Sequence, residues 1–129
     1  MALSSRFAID TTAVVAGAFL TTAAFAFSAP VAAWIGFGIF IGLIALGGLG
    51  VVLDRHATGY VTHGLLAVVG IWSLVATLVF AGATLGWLIV AGAVAAVVLG
   101  VADLVALEVS TERVVHQLEV TPADEPATV

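Results

Sequence analysis

A chain of 129 residues that is 63% hydrophobic and 9% charged cannot cover itself with water-facing side chains, because a soluble domain uses about 25% charged residues. A lipid bilayer is the solvent that suits it. Eight acids against three Arg, with net charge −5 and no Lys, exclude a nucleic-acid partner, whose phosphates call for basic patches, and the absence of Cys excludes disulfides, thiolate catalysis and Cys-ligated metals.

Residues 1–10 read as a short N-terminal cytoplasmic flank, with Arg6 and Asp10 at head-group depth. The first apolar run is longer than the roughly 7–15 residues of a signal h-region, so a retained helix is expected rather than a cleaved leader. From Thr11 to Leu53, 43 residues contain no Asp, Glu, Lys, Arg or His. One helix of that length would run about 65 Å, roughly twice a bilayer core. The chain must cross, turn and cross back. Residues 11–53 are therefore a first transmembrane hairpin, with helices over about 12–28 and 30–53. The turn falls at Ser28-Ala29-Pro30, and Pro30 suits the first turn of a helix, where its missing N–H costs nothing.

Residues 54–60 form a polar cytoplasmic loop. A second uncharged stretch, Gly64 to Ala102, repeats the design. Residues 61–107 are thus a second transmembrane hairpin, with helices over about 61–81 and 84–107 around a turn at Gly82-Ala83-Thr84. Residues 108–129 are a C-terminal cytoplasmic segment, with a helical pattern through Leu118 and a disordered acidic tail from Thr121. Four crossings put both termini and the central loop on one side of the cell membrane. Arg6, Arg55 and Arg113 occupy those three segments, so that side is expected to be cytoplasmic. The expected fold is all-α, an integral membrane four-helix bundle.

A shift of 53 residues superposes the two hairpins: Gly17 falls on Gly70, Phe19 on Trp72, Ala23 on Ala76, Phe27 on Phe80, Trp34 on Trp87 and Gly47 on Gly100. Each unit holds two crossings, so the units are tandem and parallel, related by a pseudo-twofold axis along the membrane normal. Trp34 and Trp87 stand soon after their turns, where they are expected to anchor the helices in the outer aromatic belt. Each unit runs Gly-x-aromatic, an apolar stretch, a Phe near the turn and a Trp opening the return helix. With Phe27-Ser28-Ala29-Pro30 followed by Trp34, the pattern over about residues 14–107 resembles the SPW-repeat family of small prokaryotic membrane proteins. Here Ala29 separates Ser28 from Pro30, and the second turn has no Pro. The resemblance implies a four-crossing architecture and no settled biochemical activity.

Gly17, Gly38, Gly42, Gly92, Ala96 and Gly100 are the expected helix-packing positions, since small residues let backbones approach closely, and Gly38 with Gly42 forms a GxxxG pair. Asp103 is the candidate for chemistry. It lies 16 residues after Trp87, about 24 Å along a helix, near the cytoplasmic edge. There it reads as an interfacial carboxylate, with a proton or cation site as the alternative. Asp54, His56 and His63 could gather near Asp103 around a zinc ion, but His56 and His63 are seven apart across a loop rather than i,i+4 on a helix. No His is central enough to face a haem. Neither metal nor cofactor is expected, and no catalytic constellation is visible, so an enzyme is not expected. Thr21, Thr22, Ser73 and Thr77 are expected to bond to helix carbonyls or a neighbouring helix. The expected function is a non-catalytic structural or accessory subunit, or a self-associating scaffold, whose partners are the bilayer and other membrane subunits or itself. The alternative is a small transporter or channel with Asp103 as its proton or cation site.

Overall fold

The computed structural model describes residues 4–54 and 57–120. The expectations for Arg55, His56 and the acidic tail at 121–129 lie outside the described residues. All regular structure among those described is helical: α1 Ser5–Ala26, α2 Ala29–Leu53, α3 Ala57–Val79 and α4 Gly82–Val120. Each helix is long and apolar enough to cross a membrane.

α1 begins seven residues before the expected start at Thr12. The cause is local: the Ser4 hydroxyl accepts a hydrogen bond from the Phe7 N–H at 3.2 Å, which satisfies one of the free donors of the first turn. The head-group flank expected at Arg6 and Asp10 is therefore helix, and Asp10 faces the interior. α3 likewise starts at Ala57 rather than near Val61, and α4 runs unbroken to Val120. Its residues from Glu108 to Leu118 are all exposed.

Both hairpin turns are tight. Pro30 is the second residue of α2. At the other turn Gly82 has φ +66°, alone among the described residues in being positive, a backbone state in which a Cβ would crowd the following carbonyl. α1 ends at Ala26 and α3 at Val79, while α2 begins at Ala29 and α4 at Gly82.

The most extensive contacts run between the hairpins, α1 along α4 and α2 along α3; the contacts within each hairpin are smaller. Glycines make these approaches possible. A Cβ on Gly17 would stand 2.7 Å from the Ala93 carbonyl oxygen, and one on Gly70 3.3 Å from that of Phe40. A Cβ on Gly100 would stand 3.0 Å from the Asp10 carbonyl oxygen, and one on Gly47 2.8 Å from that of His63. Gly92 faces Ser73 and Phe40, and Ala96 is fully buried.

Gly38 and Gly42 differ from the expected contact positions. A Cβ on either would meet nothing within 4 Å, so the GxxxG pair lies outside the bundle. The inward face of α2 is Ala32, Gly36, Phe40, Leu43, Gly47 and Gly50. Once Phe40 and Leu43 turn inward, Gly38 and Gly42 lie about half a turn away from Phe40. Gly17→Ala or Gly47→Ala is accordingly expected to destabilise the bundle by about 1–3 kcal/mol through overpacking. Gly38→Ala and Gly42→Ala should be neutral or slightly stabilising, which thermal unfolding in detergent would distinguish.

Candidate functional site

The interior is apolar along most of its length. Ala13, Leu20, Phe40, Leu43, Leu66, Ile89, Ala93 and Ala96 are buried in one cluster. The membrane-embedded hydroxyls of Thr21, Thr22 and Thr77 donate to carbonyls of their own helices, those of Gly17, Ala18 and Leu74, so they offer no polar path. Ser73 is buried against Gly92.

Ionisable groups collect at one end of the bundle, the end opposite the two hairpin turns. α1 carries Arg6 and Asp10 one turn apart on the same face. Three residues beyond Asp10 that face continues with Ala13, then Gly17 and Leu20, all buried. The packing of Gly17 on α4 thus turns Asp10 inward. Asp54 caps the C-terminus of α2 through its backbone N–H to the Gly50 carbonyl. His63 sits two turns into α3, and Asp103 follows the α4 stripe of Ala93, Ala96 and Gly100.

These side chains meet. The Arg6 guanidinium grips Asp103 with two charge-assisted bonds, Nε to Oδ2 at 2.8 Å and Nη2 to Oδ1 at 2.5 Å. Arg6 Nε also lies 3.5 Å from Asp54 Oδ2. His63 Nε2 stands 3.3 Å from Asp10 Oδ1, and His63 Nδ1 is 3.9 Å from Asp54 Oδ2. Asp10 is 2% exposed, and His63 and Asp103 are 1% exposed. One ligand atom from each of Asp10, His63 and Asp103 lies within 4.8 Å of the others. A cavity of about 230 Å³ adjoins the cluster, lined by Ser4, Arg6, Asp54, His63 and Leu107 among others.

His63 is held in one orientation. Its Nδ1 is 2.8 Å from the Gly59 carbonyl oxygen, and a carbonyl can only accept, so Nδ1 carries the proton. Nε2 then points at the carboxylates. Neither His63 Nε2 nor Asp10 Oδ2 has a hydrogen-bond partner. Glycine makes room for the ring: a Cβ on Gly50 would collide with it.

Asp103 is therefore not the solvated interfacial carboxylate expected of its depth, but a buried member of a five-residue ionic cluster to which every helix contributes. Asp54 and His63 are the neighbours the sequence suggests for it; Arg6 and Asp10 are not legible as its partners. The available signal was the spacing of Asp10 to Gly17, seven residues, which places both on one helix face. Trp34 and Trp87 are 77% and 68% exposed near the hairpin turns, far from the cluster. Trp34 packs edge-on against Phe37, with ring centroids 6.1 Å apart.

Fold and site together define a multi-pass helical bundle with an apolar core and a buried ionic cluster at one end. Comparison with family models, with curated proteins and with solved structures finds no match to this chain.

Proposed function

We propose that the chain is a non-catalytic multi-pass protein of the cell membrane that works by association, as an accessory subunit of a membrane complex or as a self-associating scaffold. The observation that carries this reading is the division of the interior. The apolar core is filled by Leu20, Phe40, Leu43 and Ile89, each at most 1% exposed, and among the described residues no polar side chains line a route from end to end. The buried ionisable groups among the described residues are confined to one end, where they join the four helices to one another. The outward Gly38 and Gly42 offer a shallow strip on which another membrane helix can lie close. Arg6 at the cluster end supports a cytoplasmic location for that end and for both termini.

The reading includes a duplicated hairpin. The offset of 53 residues between Ala26 and Val79 and between Ala29 and Gly82 supports it. So do the paired contacts: Gly17 on Ala93 corresponds to Gly70 on Phe40, and Gly100 on Asp10 to Gly47 on His63. Membership of the SPW-repeat family belongs to the same proposal. Extraction in a mild detergent followed by native mass measurement tests the association. A species larger than one chain is expected, and a homogeneous monomer that recruits nothing would end this reading.

A second reading is a small proton or cation transporter with Asp103 in its site. The specific observation in its favour is the cluster itself: two carboxylates contact one guanidinium and a third faces His63, beside a cavity. It requires flux in proteoliposomes that Asp103→Asn abolishes.

A further inference from the structure

His63 and Asp10 leave buried polar atoms without hydrogen-bond partners in a low dielectric. With Nδ1–H committed to the Gly59 carbonyl, the Nε2 lone pair of a neutral ring faces the Asp10 carboxylate at 3.3 Å. With Asp10 ionised two acceptors confront one another, and neither His63 Nε2 nor Asp10 Oδ2 has a hydrogen-bond partner. The charge is unbalanced in the same sense. With the carboxylates deprotonated, as metal binding requires, Asp10, Asp54 and Asp103 bring three negative charges against one positive from Arg6 and a neutral His63, a net −2. Burying uncompensated charge in a bilayer-embedded bundle is costly.

We propose that Asp10, His63 and Asp103 bind one divalent transition-metal cation, with zinc the ion that fits the donor set best. One imidazole and two carboxylates are ordinary zinc ligands, with bonds of about 2.0–2.2 Å. Around such an ion neighbouring ligand atoms stand roughly 3–3.6 Å apart. His63 Nε2 and Asp10 Oδ1 already do, and the set as a whole, within 4.8 Å, closes by side-chain shifts of roughly an ångström. The second nitrogen of His63 donates to a backbone carbonyl, as metal-bound imidazoles regularly do to fix tautomer and ring plane. Asp103 keeps Arg6 while it ligates, because a carboxylate has about four lone-pair sites. Asp54, close to both Arg6 and His63 Nδ1, is an outer partner. The adjoining cavity of about 230 Å³ has room for the waters that complete the coordination. A divalent ion takes the cluster from −2 to neutrality.

The inference goes beyond the scaffold reading and is separable from it, since zinc uptake and particle mass are read independently. The experiment uses the full chain in detergent, stripped with a chelator and titrated with zinc alone. The expected result is one zinc per chain after gel filtration, with an affinity that falls as pH is lowered, because the ligands must be deprotonated to bind. Asp10→Asn and His63→Gln should each weaken uptake by more than about 100-fold, against a loss of about 10–100-fold for the outer-partner change Asp54→Asn. His116→Gln on the exposed end of α4 should have no effect. Helix content and elution volume show whether each variant is folded. X-ray absorption on the unaltered protein supplies a variant-free readout, with a single imidazole among oxygen ligands expected. Absence of stoichiometric uptake, a shell with two or more imidazoles, or full uptake by folded Asp10→Asn and His63→Gln proteins would each overturn the site and leave a proton as the group shared by His63 and Asp10.

Discussion

Arg6→Ala is expected to destabilise the bundle by about 3–5 kcal/mol, the cost of breaking one partner out of a buried ion pair. Arg6 makes both hydrogen bonds that Asp103 receives from a guanidinium, and Asp103 is 1% exposed. Removal of Arg6 strands a carboxylate among two others. The magnitude comes from that stranded charge more than from the worth of the pair itself. The double variant Arg6→Leu/Asp103→Leu should therefore recover most of the loss, because an apolar pair of similar volume avoids the desolvation cost. Thermal unfolding of the two single variants and the double variant in one detergent closes the cycle. Single-variant losses below about 1 kcal/mol would mean that the pair is effectively solvated, as surface ion pairs are.

Phe40→Ala is expected to cost about 3 kcal/mol, the low end of the range for such truncations in cores. Phe40 is completely buried. Its ring lies against the backbone positions of Gly36 and Gly92, and glycines leave no side chain to move into the void. In water part of the loss would be the transfer of apolar surface from solvent. In a bilayer the separated helices already meet apolar lipid, so only the packing part remains, which is why the low end applies. The same measurement on Phe25→Ala, which removes a 70% exposed ring and opens no cavity, should show a change within about 0.5 kcal/mol. Similar losses for both positions would contradict the packing described for α2.

The two truncations differ in how readable they were beforehand. Phe40 lies in an unbroken apolar run in which nearly every residue suits a membrane helix, so hydropathy has no contrast with which to separate the inner face of α2 from the lipid face. For this reason Gly38 and Gly42, a familiar contact motif, face outward, whereas Gly36, Gly47 and Gly50 take the interior. The ionic cluster was partly legible. Asp103 stands out as an acid at the end of a span, and Asp54 and His63 are the neighbours its surroundings suggest. Arg6 and Asp10 read as head-group residues as long as α1 starts after them. A single capping bond from Ser4 moves that start by two turns and carries both residues into the bundle.

The sequence by itself determined four apolar helices, two tight turns and the collection of charge at one end, because lipid forces the backbone to satisfy its own hydrogen bonds and excludes ionic side chains from its interior. Which faces meet was decided only in the tertiary structure. Among helices as apolar as lipid, contact is chosen by shape, the fit of Ala93 into the space at Gly17 or of the His63 ring at Gly50. That choice of faces brings Arg6, Asp10, Asp54, His63 and Asp103, spread over 98 positions of the chain, to within a few ångströms of one another.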